Sequence, residues 1–80
     1  MDNSKEKIDR LKKAYEDRNL ETASKSLYAH YLLFDSFNIK PMVRAYQLNM
    51  DIRTYYTHRK KLVEQGYIVI HGKENIELVK

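Results

Sequence analysis

The residues of this chain whose types could do chemistry are three histidines, an adjacent Glu-Asp pair and one short run of tyrosines and cations. His30, His58 and His71 have no metal-ligand spacing and there is no cysteine to join them, so a zinc site is not expected. Glu16 and Asp17 are neighbours in sequence and diverge around a helix, which gives no acid/base pair and predicts a solvated face. Gly66 and Gly72 are the only glycines and stand too far apart to form a phosphate-cradling loop. Nothing in these patterns points to an enzyme, and no cofactor is implied. The stretch "DIRTYYTHRKKLVEQGYI", residues 51 to 68, is different. It places two adjacent tyrosines and a His-Arg-Lys-Lys run in one short helix, a pattern that burial alone does not require.

The location of charge gives that run a meaning. Residues 1 to 39 carry seven Lys/Arg against seven Asp/Glu, whereas residues 40 to 63 carry six against one, Asp51, for a net +5. A basic excess confined to one segment is the footprint of a surface that faces a polyanion, the competing reading being a solvated helix face. At 80 residues the chain is one domain with a small core, because a chain of this size removes only about 60% of its extended surface from water. The N-terminus "MDNSKEKID" has no apolar signal-peptide core and the longest apolar run, "LYAHYLLF", is too short to span a membrane. The absence of cysteine fits a reducing compartment, so the expectation is a soluble cytoplasmic protein with no membrane partner.

The elements that must position these residues follow from periodicity and punctuation. Residues 4 to 18 read as a helix with a thin stripe of Ile8, Leu11 and Tyr15. Thr22 is placed to cap a second helix running to about Asn38, with Leu20, Ala23, Leu27, Tyr31 and Phe34 facing the core. Its other side carries Tyr28, Leu32 and Leu33, so this helix should be covered on two faces, by the first helix, by a partner or by both. Residues 1 to 19 are thus a core-covering or partner-binding segment, and the six residues Ile8, Leu11, Tyr15, Tyr28, Leu32 and Leu33 form the expected interface. Pro41 opens a short third helix, "PMVRAYQL", and extends Lys40, which is placed to pair as a short strand with the later hairpin. Asn49 tolerates the left-handed turn that ends it, Asp51 caps a fourth helix over 52 to 65, and Gly66 stops that helix. "YIVI" and "IELV" around "HGKEN" then read as a β-hairpin.

Helix, helix, turn, helix, hairpin is the order of the winged helix-turn-helix family, and "AYQLNMDIRTYYTHRKKLVEQGYIVI" resembles its pattern of turn, early threonine, leucine and Gly-aromatic-Ile opening the wing. The resemblance covers about residues 22 to 80, and the cadence "TYY..RKKL..QGYI" is most similar to modules of replication initiators and replisome organisers of phages and plasmids. It implies a mainly α fold with a small antiparallel hairpin (α+β), a winged helix-turn-helix over 20 to 80 after an extra N-terminal helix, and a wing over about 67 to 79. Two positions depart from the family pattern: Asn49 stands where glycine is commoner, and Arg59 where many relatives carry an aliphatic side chain, which would lay its stem along the core edge with the guanidinium reaching solvent or an acid.

On a helical wheel with Tyr55 at 0°, Leu62 and Arg59 lie within about 40°, Arg53, Thr57 and Lys60 between about 140° and 200°, Tyr56 on one flank, and Thr54 and Lys61 on the other. Tyr55 should therefore pack inward. Arg53 is the candidate for reading base edges; Thr54, Tyr56 and Thr57 for phosphate or thymine-methyl contact; Lys60, Lys61 and Arg44 for phosphate; and Lys73, at the hairpin tip, for the minor groove or phosphate. For Tyr56, packing against the wing and base stacking stand beside phosphate contact. His30 is expected at the edge of the core and His58 in a polar contact. The functional expectation is a DNA-binding accessory subunit in replication of a phage, plasmid or other mobile element, with single- and double-stranded DNA both open, and with a larger replication enzyme or a second copy as protein partner. A homodimeric transcriptional repressor is the alternative, and a winged helix that binds only protein is the second.

Overall fold

The computed structural model describes residues 4–34, 39–72 and 75–79. The elements, in chain order, are α1 (Ser4–Glu16), α2 (Thr22–Leu33), α3 (Pro41–Gln47), α4 (Ile52–Glu64), β1 (Ile68–His71) and β2 (Asn75–Leu78). The protein is mainly helical with one small antiparallel hairpin, the expected α+β class with an extra N-terminal helix. α2 lies between α1 and α4, α3 packs on α4, and the hairpin follows directly from the end of α4.

α2 is built for that central place. Ser24, Leu27, Tyr28, His30, Tyr31 and Leu32 are all buried, which is more of its circumference than one apolar stripe would cover. The second apolar side is therefore covered within the chain: Tyr28 is 0% and Leu32 3% exposed, while Leu33 remains 54% exposed. α1 makes its approach through Ala14, fully buried, with Leu11 packed part-buried beside it. Ile8 and Tyr15 stay half exposed, so of the stripe read from the sequence only Leu11 packs on the core. A small residue lets two helix backbones come close, and a large residue at that point would hold them apart.

The helix ends differ from the expected ones in instructive ways. Glu21, not Thr22, is the N-cap of α2, and its side chain makes no capping hydrogen bond. α2 ends at Leu33 with Phe34 as C-cap, five residues before the expected stop, and Phe34 is exposed rather than in the core; residues 35 to 38 lie outside the described residues. Lys40 is extended, as a residue before proline must be, but among the described residues the sheet has only its two hairpin strands. Asp17, expected on a solvated face, accepts a 2.6 Å hydrogen bond from the Tyr67 hydroxyl and so ties the residue after α1 to the start of the hairpin. Tyr67 also meets Tyr28 edge-on at 5.1 Å.

α3 and α4 both end in the same turn. Asn49, at φ 58°, donates to the Tyr46 carbonyl at 3.0 Å while Met50 donates to the Ala45 carbonyl at 2.9 Å; Gly66, at φ 78°, donates to Val63 at 3.0 Å while Tyr67 donates to Leu62 at 2.9 Å. These are Schellman motifs, each satisfying two carbonyls at the helix end. In the hairpin, Ile68 pairs with Leu78 and Ile70 with Ile76, which puts Ile68, Ile76 and Leu78 on the core side. Among the described residues no helix is long and apolar enough to cross a membrane.

Candidate nucleic-acid interface

α4 begins where Asp51 accepts a 2.7 Å hydrogen bond from the Thr54 backbone N–H, and that bond holds its carboxyl below the usual carboxylate range. The inward face is then Tyr55, His58 and Leu62, exposed by 1%, 8% and 0%. Each has a fixed partner or a filled site. The Tyr55 and Tyr31 hydroxyls share a 2.5 Å hydrogen bond, which together with burial pushes the Tyr31 phenol upward, and His58 Nδ1 is 2.7 Å from the buried Ser24 hydroxyl. These contacts pin α4 against α2 in one rotational setting.

That setting fixes what faces outward. Arg53, Thr57 and Lys60 are exposed and Thr54 is part-buried. Thr57 donates its hydroxyl proton to the Arg53 carbonyl at 3.0 Å, which leaves its methyl and its oxygen lone pairs for an outside group. Tyr56 is 46% exposed, and its ring contacts are with Tyr55, edge-on at 5.1 Å, and with the Arg59 guanidinium, 5.1 Å from the ring centre. Arg53, Arg59 and Lys60 stand three before, three after and four after Tyr56, the spacings at which helix side chains are neighbours. Among the described residues none of these three cations has a carboxylate within ion-pair distance. The half-exposed Tyr56 ring thus carries one part-buried cation, Arg59, and the exposed Arg53 and Lys60 stand at neighbouring helix positions.

Two residues expected in this surface, Arg44 and Lys61, make contacts within the fold. Arg44 is buried, 5% exposed, with its Nη1 donating to His30 Nδ1 at 2.7 Å and its guanidinium 4.4 Å over the Tyr31 ring; depth and these contacts remove it from the outward phosphate set. Lys61 is ion-paired with Glu21 at the start of α2, and this pair holds Glu21 below the usual carboxylate range. Lys73 lies outside the described residues. The expected protein-facing set also divides: Tyr28 and Leu32 are core, Leu11 packs against it, and Ile8, Tyr15 and Leu33 are exposed. A different apolar surface, Met42, Val43 and Tyr46 on α3, is exposed by 73%, 46% and 84%. The signal for it was the helical spacing that sends Ala45 and Leu48 inward and these three outward.

Comparison with family models, with curated proteins and with solved structures finds no match to this chain.

Proposed function

We propose that this chain is a small DNA-binding protein that uses α4 as a recognition helix, in the manner of a winged helix-turn-helix, and serves as an accessory subunit in the replication of a phage, plasmid or other mobile element. The observation that carries DNA binding is the pair of exposed, unneutralised cations Arg53 and Lys60 on the outward side of a helix fixed by buried contacts on its other side. Cations that neutralise phosphates release counterions on binding, so log affinity should fall by about 0.7 to 0.9 per contact for each unit of log salt. Arg53→Ala should cost about 1 to 3 kcal/mol on a preferred sequence and flatten the preference, whereas Lys60→Ala should weaken all sequences alike. Titrating labelled DNA at several salt concentrations checks both, and a flat salt profile for the unsubstituted protein overturns the reading. The replication role rests on the "TYY..RKKL..QGYI" cadence. A palindromic target bound by two copies would point to the repressor instead.

A second reading, a module that engages protein, is favoured by the exposure of Met42, Val43 and Tyr46. Replacing Met42 and Tyr46 by serine should leave DNA affinity unchanged if the two surfaces are separate. Loss of DNA affinity in a variant of unchanged melting temperature would place α3 in the DNA surface.

A further inference from the structure

Arg59 starts from the wrong side of its helix for a nucleic-acid contact. Its Cα lies about 40° from that of the buried Tyr55 on the wheel, on the core side of Tyr56. Yet no described carboxylate draws the guanidinium inward or pairs with it; it lies instead over the ring of Tyr56, 5.1 Å from the centre. On the wheel the Cα of Tyr56 lies between that of Arg59 and those of Arg53 and Lys60. The side chain thus stays part-buried at the edge of the core, where its charge is felt by the Tyr31 phenol, and its guanidinium lies over Tyr56, the residue that on the wheel stands between it and the outward Arg53 and Lys60.

The ring that carries it is itself braced. Tyr56 meets Tyr55 edge-on at 5.1 Å with the planes at 73°, and Tyr55 is 1% exposed with its hydroxyl bonded to Tyr31 at 2.5 Å. A chain of contacts therefore runs from the middle of α2 to the guanidinium, through groups that have few alternative rotamers. A guanidinium over an aromatic face keeps its edge N–H donors free and pointing sideways, because the cation–π contact uses the plane and not the fork. Holding it there removes most of the side-chain entropy that an exposed arginine would otherwise lose on meeting a ligand.

We propose that Arg59 is a phosphate-binding residue of the α4 surface and that Tyr56 is its positioning residue, the ring fixing the guanidinium to present its fork to a DNA backbone phosphate. The proposal rests on the DNA-binding reading above. It also gives the adjacent tyrosines separate duties: Tyr55 anchors α4 to α2, and Tyr56 spends one ring face on Arg59, so that face is closed to a base.

The test is the affinity of the full chain for a labelled mixed-sequence DNA duplex across a salt series, with thermal unfolding followed for each variant. Arg59→Ala should weaken binding roughly tenfold, the scale of one charge-assisted contact, and should reduce the salt slope by roughly 0.7 to 0.9. Arg59→Lys, which keeps the charge and is the safer variant for folding, should still lose affinity because it lacks the planar fork. Tyr56→Phe should bind like the unsubstituted protein, and Tyr56→Leu should lose affinity at unchanged net charge. Unchanged affinity and slope in Arg59→Ala, alongside weakening in Lys60→Ala, overturns the role of Arg59 and leaves the DNA-binding reading standing. Equal loss in Tyr56→Phe and Tyr56→Leu overturns the bracing role of the ring. No salt-dependent binding by the unsubstituted protein overturns both this inference and the reading beneath it.

Discussion

His30 shows how far a single residue's chemistry can be read once its neighbours are known. Arg44 can only donate, so the Nδ1 that receives it at 2.7 Å must be unprotonated, and the ring proton sits on Nε2, which donates to Gln47 Oε1 at 2.9 Å. Burial, opposed by the Gln47 hydrogen bond and reinforced by the Arg44 charge, holds this imidazole below its ordinary value. The unfolded chain therefore takes up a proton that the folded protein resists, and stability rises with pH through that window. The contribution is complete above the unfolded value of about 6.5 and drains as pH falls below it. The melting temperature should drop between pH 7 and pH 5, and His30→Gln should show a smaller drop over the same range. Glu21 and Asp51, both held low, lose their contributions only at lower pH, nearer the carboxylate range, so they do not mimic this step. An equal drop in His30→Gln would assign the window to another group. The sequence could not place Arg44 here, because a charge count is blind to depth and the His30 contact joins residues fourteen apart on two helices.

At the scale of elements, the turns that set α4 were legible because their causes are local. Asn49, Asp51 and Gly66 each act on backbone groups within a few residues, and each does what its type predicts. Two consequences can be measured by denaturant unfolding. Gly66→Ala places a Cβ in the left-handed region and should cost about 1 to 2 kcal/mol, whereas Asn49→Gly relieves the same strain and should be neutral or slightly stabilising. A Gly66→Ala variant as stable as the parent would mean that the end of α4 does not depend on the φ of 78°. The facing of α1 was not legible in this way. A wheel weighted by hydrophobic size picks Ile8, Leu11 and Tyr15, of which only Leu11 packs on the core, while the fully buried residue of α1 is Ala14, where smallness allows approach. Which side of a polar helix is buried depends on the partner's shape, and that is not written in the helix itself. For Arg59 the stem along the core edge was legible, but the guanidinium's contact was not: it meets the ring of Tyr56 rather than an acid.

For the whole molecule, the central question is whether α1 is part of the fold or an appendage that a partner completes. α2 is covered by α4 on one side and approached by α1 on the other, with Ala14, Leu20, Tyr28 and Leu32 in the one core cluster. Burial pushes the Tyr28 phenol upward, against the opposing effect of Arg10 from α1, and Tyr67, just before the hairpin, meets its ring edge-on. Two adjacent leucines in α2 separate the possibilities, since Leu32 is 3% exposed and Leu33 54%. Leu32→Asp places a carboxylate in the core and should destabilise the free protein by about 3 to 5 kcal/mol, the upper range for point substitutions. Stability of roughly 0.05 to 0.15 kcal/mol per residue leaves a chain this small little margin, so much of that variant should be unfolded at room temperature. Leu33→Asp should stay within about 0.5 kcal/mol of the parent. Circular dichroism melts of the two proteins decide the matter: equal tolerance would show that this side of α2 is open in solution, and a large loss confined to Leu32→Asp makes α1 an integral layer. Removing residues 1 to 19 should then lower the melting temperature as well, because it uncovers the fully buried Tyr28 together with Leu32. DNA affinity measured on any fraction that remains folded should be unchanged, since the α4 cations owe their placement to Tyr31, Ser24 and Tyr55 and not to α1.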